Sequence, residues 1–352
     1  MKFQKYPSNN IFLLCSINGY DRQIYQHLED INNILKQNLN IPFTSILYGS
    51  FARGEPTFVF HNGHVEIFSD YDIFVYTGQK SVSNGNIKRD LRRYIENIGM
   101  ENTLFHVGIK IRCEKELRKE PFLFHIYDIL TYGFIIFDKL NQNINLKINI
   151  SNLVDSIPLS LENRLWYTLL YLPDNHDTVI KKYQTNYLLL RNILELISAI
   201  CILEGYLPKS YLERYNYARN FCKSNTIKQM ILKEDELLYK SVITKRSGDL
   251  NFDPIKLILK IEHIYNNFLD YLFDKSKYFH SLKSDYREDI KMLLSKMRYI
   301  INYLNNSSSM SKELSLVYRS LIEYSKRRLD KYPFEKKDQY ILYLEKVNMW
   351  NV

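Results

Sequence analysis

The hydrophobic periodicity of this 352-residue chain changes once along its length, and that change limits the folds open to it. Residues 20–150 mix helical and extended patterns, whereas after about residue 160 the pattern is almost wholly helical. In the first part, residues 21–37 read as a helix, with Ile24, Leu28, Ile31 and Ile34 on one face. Residues 43–48 form a short apolar run ending at Gly49, as a buried strand does before a tight turn. Residues 71–76 read as a second strand and residues 86–98 as a helix. Residues 103–112 read as a third strand, because Phe105, Val107, Ile109 and Ile111 alternate. Residues 121–140 read as another helix, broken at Gly133. Further on, residues 161–172, 187–203 and 255–272 carry apolar faces of period 3.6, and helices over 285–304 and 311–329 follow. Residues 305–309 form a polar connector. The expected fold is α+β: a mixed sheet with flanking helices over residues 1–150, then an all-α domain over 151–352.

Composition narrows the function classes. The formal net charge is +9, of which residues 1–150 hold +2 and the remainder +7. A basic second half suits a phosphate-bearing partner, although lysine-rich helices also simply solvate a surface. Cys15, Cys113, Cys201 and Cys222 are scattered, which excludes a zinc-ligand or disulfide framework and suggests reduced structural thiols. Residues 1–10 lack the apolar core of a signal peptide, and residues 11–17 are too short to span a membrane. No later stretch reads as a span. The expectation is a cytoplasmic protein that does not enter a membrane.

The chemistry-bearing stretch is Leu47-Tyr48-Gly49-Ser50-Phe51-Ala52-Arg53-Gly54-Glu55, followed by Ser69-Asp70-Tyr71-Asp72-Ile73-Phe74-Val75. A strand running into Gly-Ser opens a helix. Gly49 lets a ligand approach the backbone, and the Ser50 hydroxyl with nearby N–H groups can take phosphate oxygens. Arg53, one turn on, is placed to add a bidentate phosphate contact. Asp70 and Asp72 are two apart on a strand, so they leave the same face. Two carboxylates held together need a shared proton or cation, and hard oxygens suit Mg²⁺ carrying a nucleoside triphosphate.

Gly-Ser-Phe-Ala-Arg-Gly-Glu followed by Ser-Asp-Tyr-Asp resembles the signature of the polymerase-β nucleotidyltransferase superfamily, with its small bacterial members and the aminoglycoside nucleotidyltransferases nearest in pattern. The likeness covers residues 20–140. It implies a mixed sheet flanked by helices and Mg²⁺-dependent transfer of a nucleoside monophosphate from ATP or another NTP. It further implies that Asp70 and Asp72 bind metal while Gly49 and Ser50 hold phosphate.

Two departures stand out. Residues 56–68 separate the two motifs, and Asn62-Gly63 between apolar runs reads as the turn of an inserted β-hairpin. The third carboxylate common in the family is missing from the centre of the next strand. His106, Gly108, Lys110 and Arg112 form that strand's polar face, with Glu114 in phase at its far end. Lys110 is a phosphate candidate, Glu114 a substitute carboxylate, and His106 a general base. In the helical half, Arg191 and Glu195 are candidates for an acceptor pocket or an ordinary i,i+4 pair. Asp174, His176 and Asp177 read as a loop and helix cap more than a metal site. Arg22 and His27 have the spacing of a ribonuclease Arg-x-x-x-x-His motif, read here as chance. The expected activity is transfer of AMP to a hydroxyl of a small-molecule acceptor. The alternatives are an RNA or protein acceptor, or a nucleotide-binding protein without catalysis.

Overall fold

A computed structural model of the chain describes residues 4–5, 20–61, 64–82, 85–98, 107–118, 124–141, 144, 149–172, 178–275, 285–306, 316–317, 319–321 and 323–324. The fold is mixed α+β, with the sheet in the N-terminal part and helices thereafter. Five strands form one sheet: β1 (Gln4–Lys5), β2 (Thr44–Tyr48), β5 (Tyr71–Tyr76), β6 (Val107–Arg112) and β7 (Phe134–Asp138), in spatial order β1-β7-β2-β5-β6. The two outer pairings, β1 with β7 and β5 with β6, are parallel. The central strand β2 runs antiparallel to β7 and to β5. A separate antiparallel hairpin, β3 (Phe58–His61) and β4 (His64–Ile67), fills the gap between the two motifs. Its strands are those expected from the sequence, while the Asn62-Gly63 turn lies outside the described residues.

Alternation along the strands sorts residues to two covers. Leu47, Tyr71, Ile73 and Val75 pack with Ile24, Leu28, Ile31 and Leu35 of α1 (Tyr20–Asn38) and with Ile87 and Leu91 of α3 (Gly85–Asn97). Ile46, Phe74 and Tyr76 face the other way, onto Ile126, Ile129 and Leu130 of α5 (Phe124–Tyr132). Two short helices complete this region, α2 (Gly49–Arg53) and α4 (Glu114–Leu117). The single helix expected over residues 121–140 is corrected by the structure. Its described part is a helix ending at Tyr132, followed at once by strand β7. Gly133 makes the junction, because a Cβ there would lie 2.4 Å from the Ile129 carbonyl oxygen and 2.6 Å from Ile46 Cγ2. Beyond it, Phe134-Ile135-Ile136-Phe137 is the β-branched and aromatic run a strand prefers.

The remaining helices are α6 (Ser151–Val154), α7 (Ile157–Tyr171), α8 (Val179–Leu203), α9 (Tyr211–Phe221), α10 (Asn225–Lys233), α11 (Asp235–Ser247), α12 (Pro254–Asp270) and α13 (Asp285–Asn306). A π-helical turn, Tyr271–Lys275, extends α12. Local sequence explains the starts of several. Ser210 and Glu213 form a reciprocal capping box at α9, and Asp253 caps α12 with Pro254 in its first turn. Helix α8 corrects one expectation, since it is long and apolar enough by composition to cross a membrane. Its most apolar window is 83% buried within the protein, as the core helix of a folded domain is.

The chain divides into two compact units, and the division does not fall at residue 150 as expected. The first unit comprises residues 1–160 together with 196–250, and the second comprises residues 161–195 and 251–352. The α9–α11 segment therefore belongs with the sheet. In the second unit, Asn192 Nδ2 donates to Thr168 Oγ1 at 2.9 Å and Tyr265 OH donates to the Asn192 carbonyl, tying α7, α8 and α12 together. Arg298 reaches Glu262 at 2.9 Å, joining α13 to α12.

Candidate functional site

The site is built where β2 ends and β5 and β6 begin. Antiparallel pairing sets Tyr48 opposite Asp72, and the chain turns immediately after Tyr48 into α2. Gly49 adopts φ +70°, in the left-handed region that an L side chain rarely enters. A Cβ on Gly49 would stand 2.2 Å from Asp72 Oδ2. The glycine is thus required twice, by its dihedral and by the carboxylate against its face. Ser50 follows, buried, and Asp70 is buried at the entry to β5. The structure sets Asp72 against Gly49, with Ser50 next along the chain and Asp70 just before the first residue of β5.

Buried hydrogen bonds hold the second motif in register. Ser69 Oγ accepts from the Thr57 N–H at 2.7 Å, and the Phe68 N–H donates to the Thr57 carbonyl at 2.9 Å. The inserted hairpin is therefore clamped at its base, directly before Asp70. Thr57 Oγ1 also donates to the Lys245 carbonyl at 3.0 Å, so α11 supports the same clamp.

Arg53, expected to reach phosphate, is instead held inside the first unit. Its Nη1 lies 2.5 Å from Asp128 Oδ2 on α5, and its guanidinium stacks over the Tyr211 ring at 4.7 Å. The other Asp128 oxygen takes Arg214 Nη2 at 2.9 Å. Glu55 accepts the Tyr211 N–H with both oxygens at 2.9 Å. Burial opposes charge on Arg53, but Tyr211, Asp128, Glu55 and Asp72 outweigh it and hold the guanidinium above its ordinary value. Arg53 acts here as the tether of α2 to α5 and α9. Sequence reading missed Asp128, Tyr211 and the role of Glu55. A signal existed, since Asp128 is the lone carboxylate in a helix that is mostly apolar and aromatic.

The far strand bears on two candidates, Lys110 and Glu114. Parallel pairing sets Gly108 opposite Asp72 and Lys110 opposite Phe74. The position across from Asp72 has no side chain. Glu114 does not substitute for it. Its N–H donates to the Gly78 carbonyl, and its carboxylate takes Gln79 at 2.7 Å and Arg118 at 2.5 Å. Arg118 first, then Gln79 and Tyr76, draw Glu114 below the usual carboxylate range. That is the opposite end of β5, four residues or about 13 Å from Asp72. Lys110 shares the Asp72 face, with Nζ 2.8 Å from His125 Nε2 on α5, a partner the sequence reading did not name. His106 lies outside the described residues, as do Asp174, His176 and Asp177.

The other candidates resolve into packing. His27 is buried against the core, Nδ1 3.2 Å from Tyr71 OH, and burial lowers its pKa. Arg191 lies over the Tyr187 ring, and Glu195 is 3.7 Å from Arg164. Among the described cysteines, Cys113, Cys201 and Cys222 are free and buried, and burial pushes the Cys201 and Cys222 thiols up to about 12.

Among the described residues no three His, Cys, Asp or Glu side chains gather for a metal ion. The ion expected from the sequence, Mg²⁺, keeps waters and takes substrate phosphate oxygens beside as few as one or two carboxylates. Comparison with protein-family models, with curated proteins and with solved structures returns no match.

Proposed function

We propose that this chain is a nucleotidyltransferase that moves a nucleoside monophosphate, AMP foremost, from an NTP to a hydroxyl of a small-molecule acceptor. One observation carries the reading: the Asp72 carboxylate lies against the face of Gly49, leaving no room for even a methyl group. A turn that serves only to reverse the chain has no need to press a carboxylate on a left-handed glycine. A site that seats a triphosphate beside its metal ligands does need that closeness. Ser50 and the backbone at Gly49 would hold phosphate, and Asp70 and Asp72 would hold Mg²⁺. When bound, the ion supplies charge stabilisation to the phosphoryl oxygens.

Incubating the protein with labelled NTPs, Mg²⁺ and an extract of the source cell tests the reading. Label should pass to one class of acceptor, and Asp70→Asn with Asp72→Asn should abolish transfer while leaving the fold intact. Full transfer by the double variant would sink the assignment. Label appearing on RNA or protein would move the acceptor to that class, and an RNA acceptor should bind less tightly as salt rises. Gly108 opposite Asp72 favours a second reading, a chain that binds nucleotide without turning it over. Calorimetry showing NTP binding with no label transfer would select it.

A further inference from the structure

Resting on the transferase reading above, the attacking hydroxyl needs a group to take its proton, and β6 offers no carboxylate beside Asp72. Lys110 and His125 border that gap. Lys110 lies opposite Phe74, on the same face of the sheet as Asp72, and both it and His125 are half-buried. Their side-chain nitrogens are 2.8 Å apart. With Lys110 as the donor, His125 Nε2 is the acceptor and the imidazole proton sits on Nδ1. His125 is three residues before Asp128, hence on the same face of α5. Asp128 engages Arg53 of α2, the helix that opens at Gly49. That face of α5 therefore looks onto the sheet face that carries Lys110 and Asp72, with Asp128 about one turn nearer the Gly49 end than His125.

We propose that Lys110 and His125 are the proton-handling pair of this site. Lys110 Nζ turns from His125 to a phosphate oxygen of the bound NTP. His125 Nε2, released, takes the proton of the acceptor hydroxyl. The acceptor oxygen forms its bond to the α-phosphorus as the bond from that phosphorus to the bridging oxygen breaks, and pyrophosphate leaves with the electron pair. Among the described residues, Lys110 on β6 touches His125, Arg53 on α2 and Arg214 on α9 engage Asp128 one turn on along α5, and Asp72 on β5 acts on Arg53. A test on His125 must leave all five in place.

The full chain is assayed with α-labelled ATP, Mg²⁺ and source-cell extract from about pH 5 to 9, spanning the histidine range. The native protein should show a rate that rises along an acid limb. His125→Gln should lower the maximal rate about 100-fold or more and erase that limb, with half-saturating ATP unchanged. Lys110→Met should raise half-saturating ATP roughly tenfold, the loss of a charge-assisted hydrogen bond, and keep the limb. A His125→Gln protein that retains rate and limb, or that changes only ATP saturation, overturns the pair. Should that variant not fold, unchanged ATP saturation in Lys110→Met overturns it instead. A native protein that transfers no label brings down the transferase reading and this pair with it. Loss confined to the pair leaves the transferase reading standing.

Discussion

At Gly49 a single hydrogen stands where any other residue would carry carbon. Two separate costs follow from replacing it, and a second glycine separates them. Gly205 has φ +83° with nothing within 4 Å of a built Cβ, whereas Gly49 has φ +70° and Asp72 Oδ2 at 2.2 Å. Left-handed backbone costs an L residue about 1–2 kcal/mol. Gly205→Ala should therefore lose only that and keep its label transfer. Gly49→Ala should lose more stability, and its Asp72 carboxylate must retreat by roughly 1 Å. Misplacement on that scale costs about 100-fold in rate. Thermal melts and label-transfer rates on both variants check the pair. Equal behaviour of the two variants would remove the Asp72 contact from the argument. At this scale the sequence was most legible, because Gly49, Ser50, Asp70 and Asp72 gain their meaning from neighbours a few residues away. Arg53 was misread for the opposite reason. Its partners Asp128 and Tyr211 are 75 and 158 residues distant.

Helix α9 is fixed to the sheet region by charge. Asp128 is shared by two guanidiniums, Arg53 and Arg214, with side chains 9%, 7% and 2% exposed. Removing one partner of a buried ion pair costs about 3–5 kcal/mol, because the remaining charge is left without compensation. Asp128→Asn takes the shared carboxylate from both arginines, Arg53 keeping Glu55 at 3.9 Å, and should lose about that amount in chemical denaturation. Tyr211→Phe removes only the longer 3.4 Å contact from Arg53 and should lose about 1 kcal/mol or less. If Asp128→Asn is no worse than Tyr211→Phe, the carboxylate is not the fastening. Elements with a strong local pattern were readable here, as α1, α3, β2 and β5 show. The stretch over 121–140 was not, because α5 and β7 are both apolar and meet at Gly133 without a polar loop between them. Only the requirement that Gly133 press on Ile46 separates them, and that is a tertiary fact.

For the molecule as a whole, the change of periodicity near residue 160 marks where strands stop, and it is not where a folding unit stops. Residues 196–250 count with the sheet, returning to it after an excursion through the second unit. Periodicity reports the type of an element, and carries no record of which later segment will cover it. The returning segment supplies Arg214 to Asp128, the Tyr211 N–H to Glu55 and the Lys245 carbonyl to Thr57. A fragment ending at residue 150 would leave Arg53, Glu55 and Asp128 without those covers. Each bared or unpaired charge costs several kcal/mol, against a stability of about 5–15 kcal/mol for a typical domain. That fragment should consequently show no cooperative thermal unfolding and little amide protection in β2 and β5, while the full chain shows both. A fragment ending at 150 that melts cooperatively with protected sheet amides would mean that α9–α11 decorate the sheet instead of completing it.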